Sequence, residues 1–253
     1  SHVTFLHEGV FQDRLANPES EETARWMLDD RSPKIHVEET PYGYVLGSRR
    51  NADGGHDYWR INHWLMPWYT LIPAFSGDGP LAGHAWIPID DTRTWVYPFT
   101  WRPTRPLTEP EVASMRAGNA NYAVLVPGTH MTLNNRANEY CADPDFRPCE
   151  QPSRRMTLIQ EQDMSMMENM GPGPLFDRTR EHLGTSDVAI IAVRRRLIAA
   201  ARNPSPNGTR PGADPKSYRV RQISTLLPKS APSWLDEARE NMEARPETFV
   251  ASI

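Results

Sequence analysis

Apolar residues recur every three or four positions along residues 187–202, a spacing typical of a helix with one buried face. Polar residues that can cap a helix, Thr185, Ser186 and Asp187, stand at its start. The arginines of the segment fall on other faces than the apolar stripe, which consists of Ile190, Ile191, Val193, Leu197, Ile198 and Ala201. The pattern therefore predicts a long helix that packs on a sheet.

Between residues 34 and 101 the apolar pattern changes to a period of two, which is typical of half-buried strands. Residues 58–73, 81–88 and 94–101 form its longest runs, and the glycine-rich residues 76–80 separate the first two. Strand character returns at residues 122–126 and 131–133. We therefore expect about seven antiparallel strands, one face of which is rich in aromatic side chains.

Shorter helices are predicted around this sheet from capping and stop signals. Thr108 and Glu111 form a capping box whose helix ends at Gly118. Further helices are expected at residues 17–30, at 160–170, and from Ser233 to just before Pro246. Gly171-Pro172 ends the second of these helices. Residues 134–155 are polar and are expected to form a long loop.

Composition excludes several classes of protein. The chain has 253 residues and a net charge of -4 with scattered basic residues, so no nucleic-acid-binding surface is expected. No apolar run approaches the ~20 residues of a membrane span, so no membrane association is expected. Cys141 and Cys149 are too few for a disulfide framework or a four-cysteine metal site, which favours a cytoplasmic, reduced protein.

The candidate chemistry consists of two histidines near the start of the chain and one acid far from them. His2 and His7 would point ~140° apart on a regular helix, so their convergence on one atom requires a break in the helix. Taken alone, His2 also fits a purification-tag remnant and His7 a hydrogen-bonded core histidine. Asp163 equally fits a solvated acid on an acidic helix.

Four segments of the chain together resemble the catalytic part of Rieske non-heme iron oxygenases, especially the phthalate-dioxygenase-like branch: SHVTFLH, QEQDMSMMENMGP, DRTREHLGTSD and AIIAVRRRLIAAAR. In that family the motif D-x-x-H-x-x-x-x-H and a distant Asp hold one Fe(II) ion. By position, His2 and His7 match the two histidines and Asp163 matches the acid. Such a triad leaves one side of the metal open for O2 and substrate.

The chain also departs from the family pattern. No C-x-H or C-x-x-H motif for a 2Fe-2S Rieske cluster occurs, and the first Asp of the iron motif would precede Ser1. We therefore expect the catalytic part of a longer polypeptide whose N-terminal Rieske domain is absent from this sequence. Residues 1–203 would form the mononuclear-iron domain, and residues 204–253 a linker and a C-terminal helical tail packed on it.

The order of elements and the resemblance both predict an α+β helix-grip fold of the START/Bet v1-like kind, a curved antiparallel sheet wrapped on the long C-terminal helix. The resemblance implies a terminal oxygenase that hydroxylates, cis-dihydroxylates or O-demethylates an aromatic, carboxylated substrate with O2. It further implies a reductase or ferredoxin as electron donor and a homotrimer. A metal-free module that binds a hydrophobic ligand in the same fold is the alternative, and three protein ligands fit a structural zinc site poorly.

The residues of the substrate pocket are predicted only from residue type and place. Asn62, His63 and Trp95 lie in the predicted sheet, where polar and aromatic side chains suit a pocket for a flat ring. Arginines suit a carboxylate because their guanidinium groups bind it in a bidentate manner, and the candidates are Arg31, Arg60 and Arg136. For each of these six residues a core or surface role is the competing interpretation.

Overall fold

A computed structural model describes residues 4–75, 79–119, 121–141, 158–173, 175–203 and 214–244 of the chain. His2 and Cys149 therefore lie outside the described residues, and so does most of the loop predicted at residues 134–155. None of the helices in these ranges is both long and apolar enough to cross a lipid bilayer.

The fold is α+β, with a seven-stranded antiparallel sheet at its centre in the described part of the chain. Six strands follow one another as neighbours in chain order, and the seventh pairs with the third. The strands are β1 (Lys34–Thr40), β2 (Gly43–Asn51), β3 (His56–Leu65), β4 (Tyr69–Ile72), β5 (Leu81–Pro88), β6 (Thr94–Trp101) and β7 (Ile223–Pro228).

Strand β3 uses one edge for two partners. Its first six residues pair with β7, and its last three pair with β4. Strand β2 pairs with residues 57–65 along the opposite edge. Because β4 and β7 thus lie end to end, the C-terminal part of the chain completes the hydrogen bonding of the central strand.

Six helices surround the sheet in the described ranges: α1 (Glu8–Arg14), α2 (Glu21–Asp29), α3 (Glu109–Arg116), α4 (Ile159–Glu168), α5 (Val188–Arg202) and α6 (Trp234–Ala238). The predicted capping box is confirmed, since the Thr108 side chain accepts from the Glu111 backbone N–H and the Glu111 carboxylate accepts from the Thr108 backbone N–H. The predicted helices at residues 160–170 and 187–202 are confirmed as α4 and α5 within two residues at each end.

Directly paired residues of neighbouring strands share a face of the sheet, so the register defines two faces. The back face carries the main apolar core, which consists of Val45, Trp59, Ile61, Leu65, Leu71 and Leu227 with Ala238 of α6. Trp234 at the start of α6 stacks on Trp59 with ring centroids 4.9 Å apart. The C-terminal elements β7 and α6 therefore belong to this core.

The front face is the opposite one and carries Tyr44, Trp64, Thr70 and His84, which are paired in a row across β2, β3, β4 and β5. At one end of the face Tyr58 packs with three side chains of the N-terminal helices, Phe11, Trp26 and Met27. At the other end α5 lies against the turn between β1 and β2. Helices from both ends of the chain thus approach the same face.

Helix α5 differs from the prediction in how it contacts the sheet. No side chain of this helix is fully buried, and Ile190 and Ile198 are 45% and 50% exposed. Its closest contact is polar, because the Arg196 guanidinium donates to the carbonyl oxygens of Thr40 and Gly43 at 3.0 and 2.6 Å. Of the predicted apolar stripe, Ile191, Val193 and Leu197 are half-buried, whereas Ile190, Ile198 and Ala201 are exposed.

The seventh strand also differs from the prediction. Residues 122–126 and 131–133 were expected to be strands, but they share a single bridge between Leu125 and Thr132. The seventh strand is instead β7, in a part of the sequence for which no strand was predicted. Its pairing with β3 joins residues more than 150 positions apart, and such a contact leaves no local sequence pattern.

Candidate metal centre

The first turn of α4 is polar yet buried, which marks it as more than a surface helix. Gln160, Glu161 and Gln162 are 5%, 2% and 5% exposed. Buried polar side chains need hydrogen-bond partners, and these three have them. Gln160 contacts His84, Glu161 accepts from the Asn134 amide at 3.1 and 3.2 Å, and Gln162 contacts His7.

His7 and Asp163 come together at this turn. His7 ends a short 3-10 turn (Thr4–His7) before α1 and is 4% exposed. The Nε2 atom of His7 lies 3.3 Å from Oδ1 of Asp163, whose side chain remains 33% exposed. The fold therefore brings His7 and Asp163 together, and these are two of the three residues that the family resemblance implies as metal ligands.

The hydrogen bond of the second ring nitrogen of His7, Nδ1, determines where the ring carries its proton. Nδ1 of His7 lies 2.6 Å from Oε1 of Gln162. An amide oxygen only accepts hydrogen bonds, so Nδ1 carries the proton of the neutral ring. In the neutral ring, Nε2 then presents its lone pair on the side of the Asp163 carboxylate, so one metal ion would bind both atoms from that side.

The chemistry of these donors fits the Fe(II) ion that the family resemblance implies. An imidazole nitrogen and a carboxylate oxygen are two of the three ligand types in the two-histidine, one-carboxylate sites of ferrous enzymes. The predicted third ligand, His2, lies outside the described residues. In the ranges that are described, no three His, Cys, Asp or Glu side chains form a group that could hold a metal ion. The triad as a whole thus stays a prediction.

His84 is a further imidazole close to this centre, and the sequence reasoning missed it. It lies on the front face in β5, is 7% exposed, and has its Nε2 atom 3.2 Å from Oε1 of Gln160. Burial lowers the pKa of His84, while the hydrogen bond to Gln160 and the charge of Asp163 oppose that shift. The alternation of Gly83, His84, Ala85 and Trp86 was the available signal, since it places His84 and Trp86 on one face.

Three of the predicted pocket residues fall on different faces of the sheet. Asn62 lies on the front face with His84, whereas its neighbour His63 lies on the back face, as does Trp95. His63 is 1% exposed; its Nδ1 accepts from the Tyr42 hydroxyl at 2.8 Å, and its Nε2 donates to the Arg221 carbonyl at 3.1 Å. Trp95 contacts the rings of Tyr97 and His130. The structure does not bring His63 or Trp95 together with His7.

The three arginines proposed for a substrate carboxylate make contacts within the protein. Arg60 is buried and donates to the carbonyl oxygens of Pro73 and Ala74, both at 3.1 Å. Arg136 donates to the carbonyls of Gly171 and Pro172 just after α4, and Arg31 forms an ion pair with Glu8 at 2.8 Å. Arg60 thus contacts the segment after β4, Arg136 the turn after α4, and Arg31 the first residue of α1. A direct role in substrate binding stays a prediction for all three.

Metal-bound histidines usually hold their second ring nitrogen in a hydrogen bond, as His7 does with Gln162. The LigXa C-terminal domain-like family matches residues 2–248, so the chain belongs to this family. The resemblance to the catalytic domain of Rieske-type oxygenases is thereby confirmed.

Two curated relatives carry names that agree with this assignment. The 3-chlorobenzoate-3,4-dioxygenase oxygenase subunit of Comamonas testosteroni is 27% identical over 247 residues, which are 91% of this chain and 55% of that protein. The phthalate 4,5-dioxygenase oxygenase subunit of Pseudomonas putida is 27% identical over 210 residues, which are 79% of this chain and 45% of that protein. The chain spans about half the length of these relatives, and neither of them supports the alternative of a metal-free binding module.

Proposed function

We propose that the chain is the catalytic part of a terminal oxygenase that holds one Fe(II) ion on His2, His7 and Asp163 and oxidises an aromatic acid. The observation that carries the proposal is the approach of His7 Nε2 to Asp163 Oδ1 at 3.3 Å. Both relatives are oxygenase subunits whose names contain an aromatic carboxylate, 3-chlorobenzoate or phthalate, and this supports the substrate class.

A bound ferrous ion would supply the binding and activation of O2 at this site. The chain's own residues prepare the site for it. Asp163 contributes a carboxylate at the solvent-accessible end of the centre, and His7 contributes an imidazole ring that is shielded from water. The buried contact of Gln162 with His7 holds α4 against the start of α1, so the ligand atoms keep their spacing, whereas Gln160 joins α4 to His84 of β5.

The front face beside His84 suits a flat, mostly apolar substrate. Trp64 is buried and Trp86 is half-buried, and apolar side chains of the same face remain half-buried: Leu46, Ile72, Val96 and Pro98. Thr70, which accepts from the Trp86 indole N–H at 3.0 Å, and Asn62 add polar groups to this surface. We propose that the substrate ring lies on this face, next to His84 and α4.

The remaining parts of the proposal follow from the family. We propose a helix-grip fold, in which α5 closes the front face, and a homotrimeric, cytoplasmic assembly. A reductase or ferredoxin would deliver electrons through a 2Fe-2S Rieske cluster held by residues outside this sequence. Hydroxylation, cis-dihydroxylation and O-demethylation are the reactions to be compared, by supplying the full-length oxygenase and its reductase with a panel of aromatic acids.

The test of the metal centre is iron occupancy. The chain and its Asp163→Ala variant would be reconstituted with Fe(II) under anaerobic conditions, and iron per chain and the electron paramagnetic resonance signal of the nitric oxide adduct would be measured. We expect the variant to lose iron, because one of three ligands is removed. Glu168→Gln is the matched control, since Glu168 lies on the same helix and contacts Tyr140 instead. One iron per chain in the Asp163→Ala variant would refute the assignment.

A further inference from the structure

Gln162 occupies an unusual position for an amide side chain. It is 5% exposed, it immediately precedes Asp163 in the first turn of α4, and its Oε1 lies 2.6 Å from Nδ1 of His7. Asp163 approaches the other nitrogen of the same ring. Two consecutive residues of α4, Gln162 and Asp163, therefore contact the two ring nitrogens of His7.

We propose that Gln162 is a positioning residue for the metal centre, which holds His7 in the tautomer whose Nε2 lone pair can bind the metal. The inference rests on the proposed function and deepens it, because it names the group that prepares the ligand. Oε1 accepts the Nδ1 proton, so the ring cannot place that proton on Nε2 without losing a short, buried hydrogen bond.

Loss of the amide would open a competing arrangement. With no acceptor at Nδ1, the neutral ring can carry its proton on Nε2 and donate it to the Asp163 carboxylate 3.3 Å away. In that arrangement the Nε2 atom of His7, which faces Asp163, has no lone pair for a metal, and the Asp163 carboxylate is occupied by a hydrogen bond. Outer partners of metal-bound histidines typically change metal affinity by about 10–100-fold when they are removed, and we expect a loss of this size for Gln162→Leu.

The chain offers a matched control two residues away. Gln160 lies on the same helical turn, is also 5% exposed, and uses the same amide oxygen to contact an imidazole, that of His84 at 3.2 Å. Gln160→Leu therefore removes an equivalent buried hydrogen bond and perturbs α4 to a similar degree. It leaves the contact between Gln162 and His7 in place, so we expect a change in metal affinity of less than about 3-fold.

A second variant, Gln162→Glu, tests whether residue 162 acts as a hydrogen-bond acceptor or only fills space. Gln162→Glu keeps the length and shape of the side chain and can still accept the Nδ1 proton. We expect it to bind metal within about 3-fold of the wild-type chain. If the Gln162 amide instead donated to Nδ1, then the carboxylate of the variant could not replace it, and metal affinity would fall as in Gln162→Leu.

The experiment is a titration of the four metal-free proteins with Co²⁺, followed by the visible absorption of the bound ion, with Fe(II) and nitric oxide as a second spectroscopic readout. The expected order is wild type, Gln162→Glu and Gln160→Leu together, and Gln162→Leu weaker. Equal affinities for Gln162→Leu and Gln160→Leu, or loss of affinity in Gln162→Glu, would overturn the inference. Failure of the wild-type chain to bind either metal would instead overturn the proposed function.

Discussion

The pH dependence of stability can show whether His63 is a buried structural histidine or a residue of a substrate pocket. Its ring is held neutral on the back face, with the Tyr42 hydroxyl donating to Nδ1 and the Arg221 carbonyl accepting from Nε2. Burial lowers the pKa of His63 to about 4 from its ordinary value of 6.5, and the Arg221 carbonyl opposes the shift only in part. Replacing the ring by a neutral group, as in His63→Gln, therefore should remove a source of acid sensitivity.

The magnitude follows from the two pKa values. The unfolded chain takes up a proton on His63 as the pH falls below 6.5, and the folded chain resists it until about pH 4. The stabilisation is therefore complete above pH 6.5 and decreases as the pH falls toward 4. Each pKa unit corresponds to about 1.4 kcal/mol, so His63 accounts for a loss of about 2 kcal/mol between pH 7 and pH 5.

The assay is urea unfolding of the metal-free chain at pH 7, 6 and 5, followed by tryptophan fluorescence. The free energy of unfolding of the wild-type chain should fall between pH 7 and pH 5 by about 2 kcal/mol more than that of His63→Gln. Tyr42→Phe is the control, because it removes one hydrogen bond and costs about 1 kcal/mol at every pH but leaves the ring buried.

An equal dependence of unfolding free energy on pH in the wild-type chain and His63→Gln would refute this reasoning. It would mean that water or an unrecognised polar group reaches the His63 ring, and the predicted pocket role of this residue would then regain support. Loss of the pH dependence in Tyr42→Phe would show that the hydroxyl, rather than burial, keeps the ring neutral.

Two further predictions concern the sheet and its long helix. Gly83→Ala should destabilise the chain by about 1–3 kcal/mol in thermal unfolding, because an added Cβ would lie 2.5 Å from the Phe99 ring and 2.6 Å from the Thr70 carbonyl oxygen. Gly173→Ala is the control and should leave stability unchanged, because its added Cβ would lie 3.8 Å from the Leu175 carbonyl oxygen; an equally stable Gly83→Ala chain would contradict the packing described. Arg196→Met should increase amide hydrogen exchange in α5, because the Arg196 guanidinium forms the polar contact of α5 with the β1–β2 turn. Exchange in α2 should not change and serves as the control. Unchanged exchange in α5 would show that the apolar contacts of Val193 and Leu197 suffice to hold the helix.

Much of the fold could be predicted because its signals are local. Alternating aromatic residues define β6 at residues 94–101, and the bounds of β5 at 81–88 follow from an apolar run between turns. The α5 segment was equally clear, but the burial of its stripe was not, because periodicity shows which residues share a face and not what covers that face. Strand β7 escaped prediction because its partner β3 lies far away in the sequence.

The candidate site was predictable only through the family resemblance. Nothing in the spacing of His7 and Asp163 indicates that they meet, since they lie far apart in the sequence and in separate elements. The roles of Gln162 and His84 were invisible for a related reason. A glutamine or a histidine acquires such a role only from the element that packs against it, and this is decided by the contacts of α4 with β5 and with the residue before α1.

The shared edge of β3 has a consequence for how the protein is made. A ribosome releases the chain from its N-terminal end, so β2, β3 and β4 emerge early and can pair at once. Along one side of the first six residues of β3, however, the backbone N–H and C=O groups stay unpaired until β7, which ends at Pro228, has been translated. During that interval the nascent sheet exposes an open edge, the kind of surface on which chaperones act and on which neighbouring chains can add a strand.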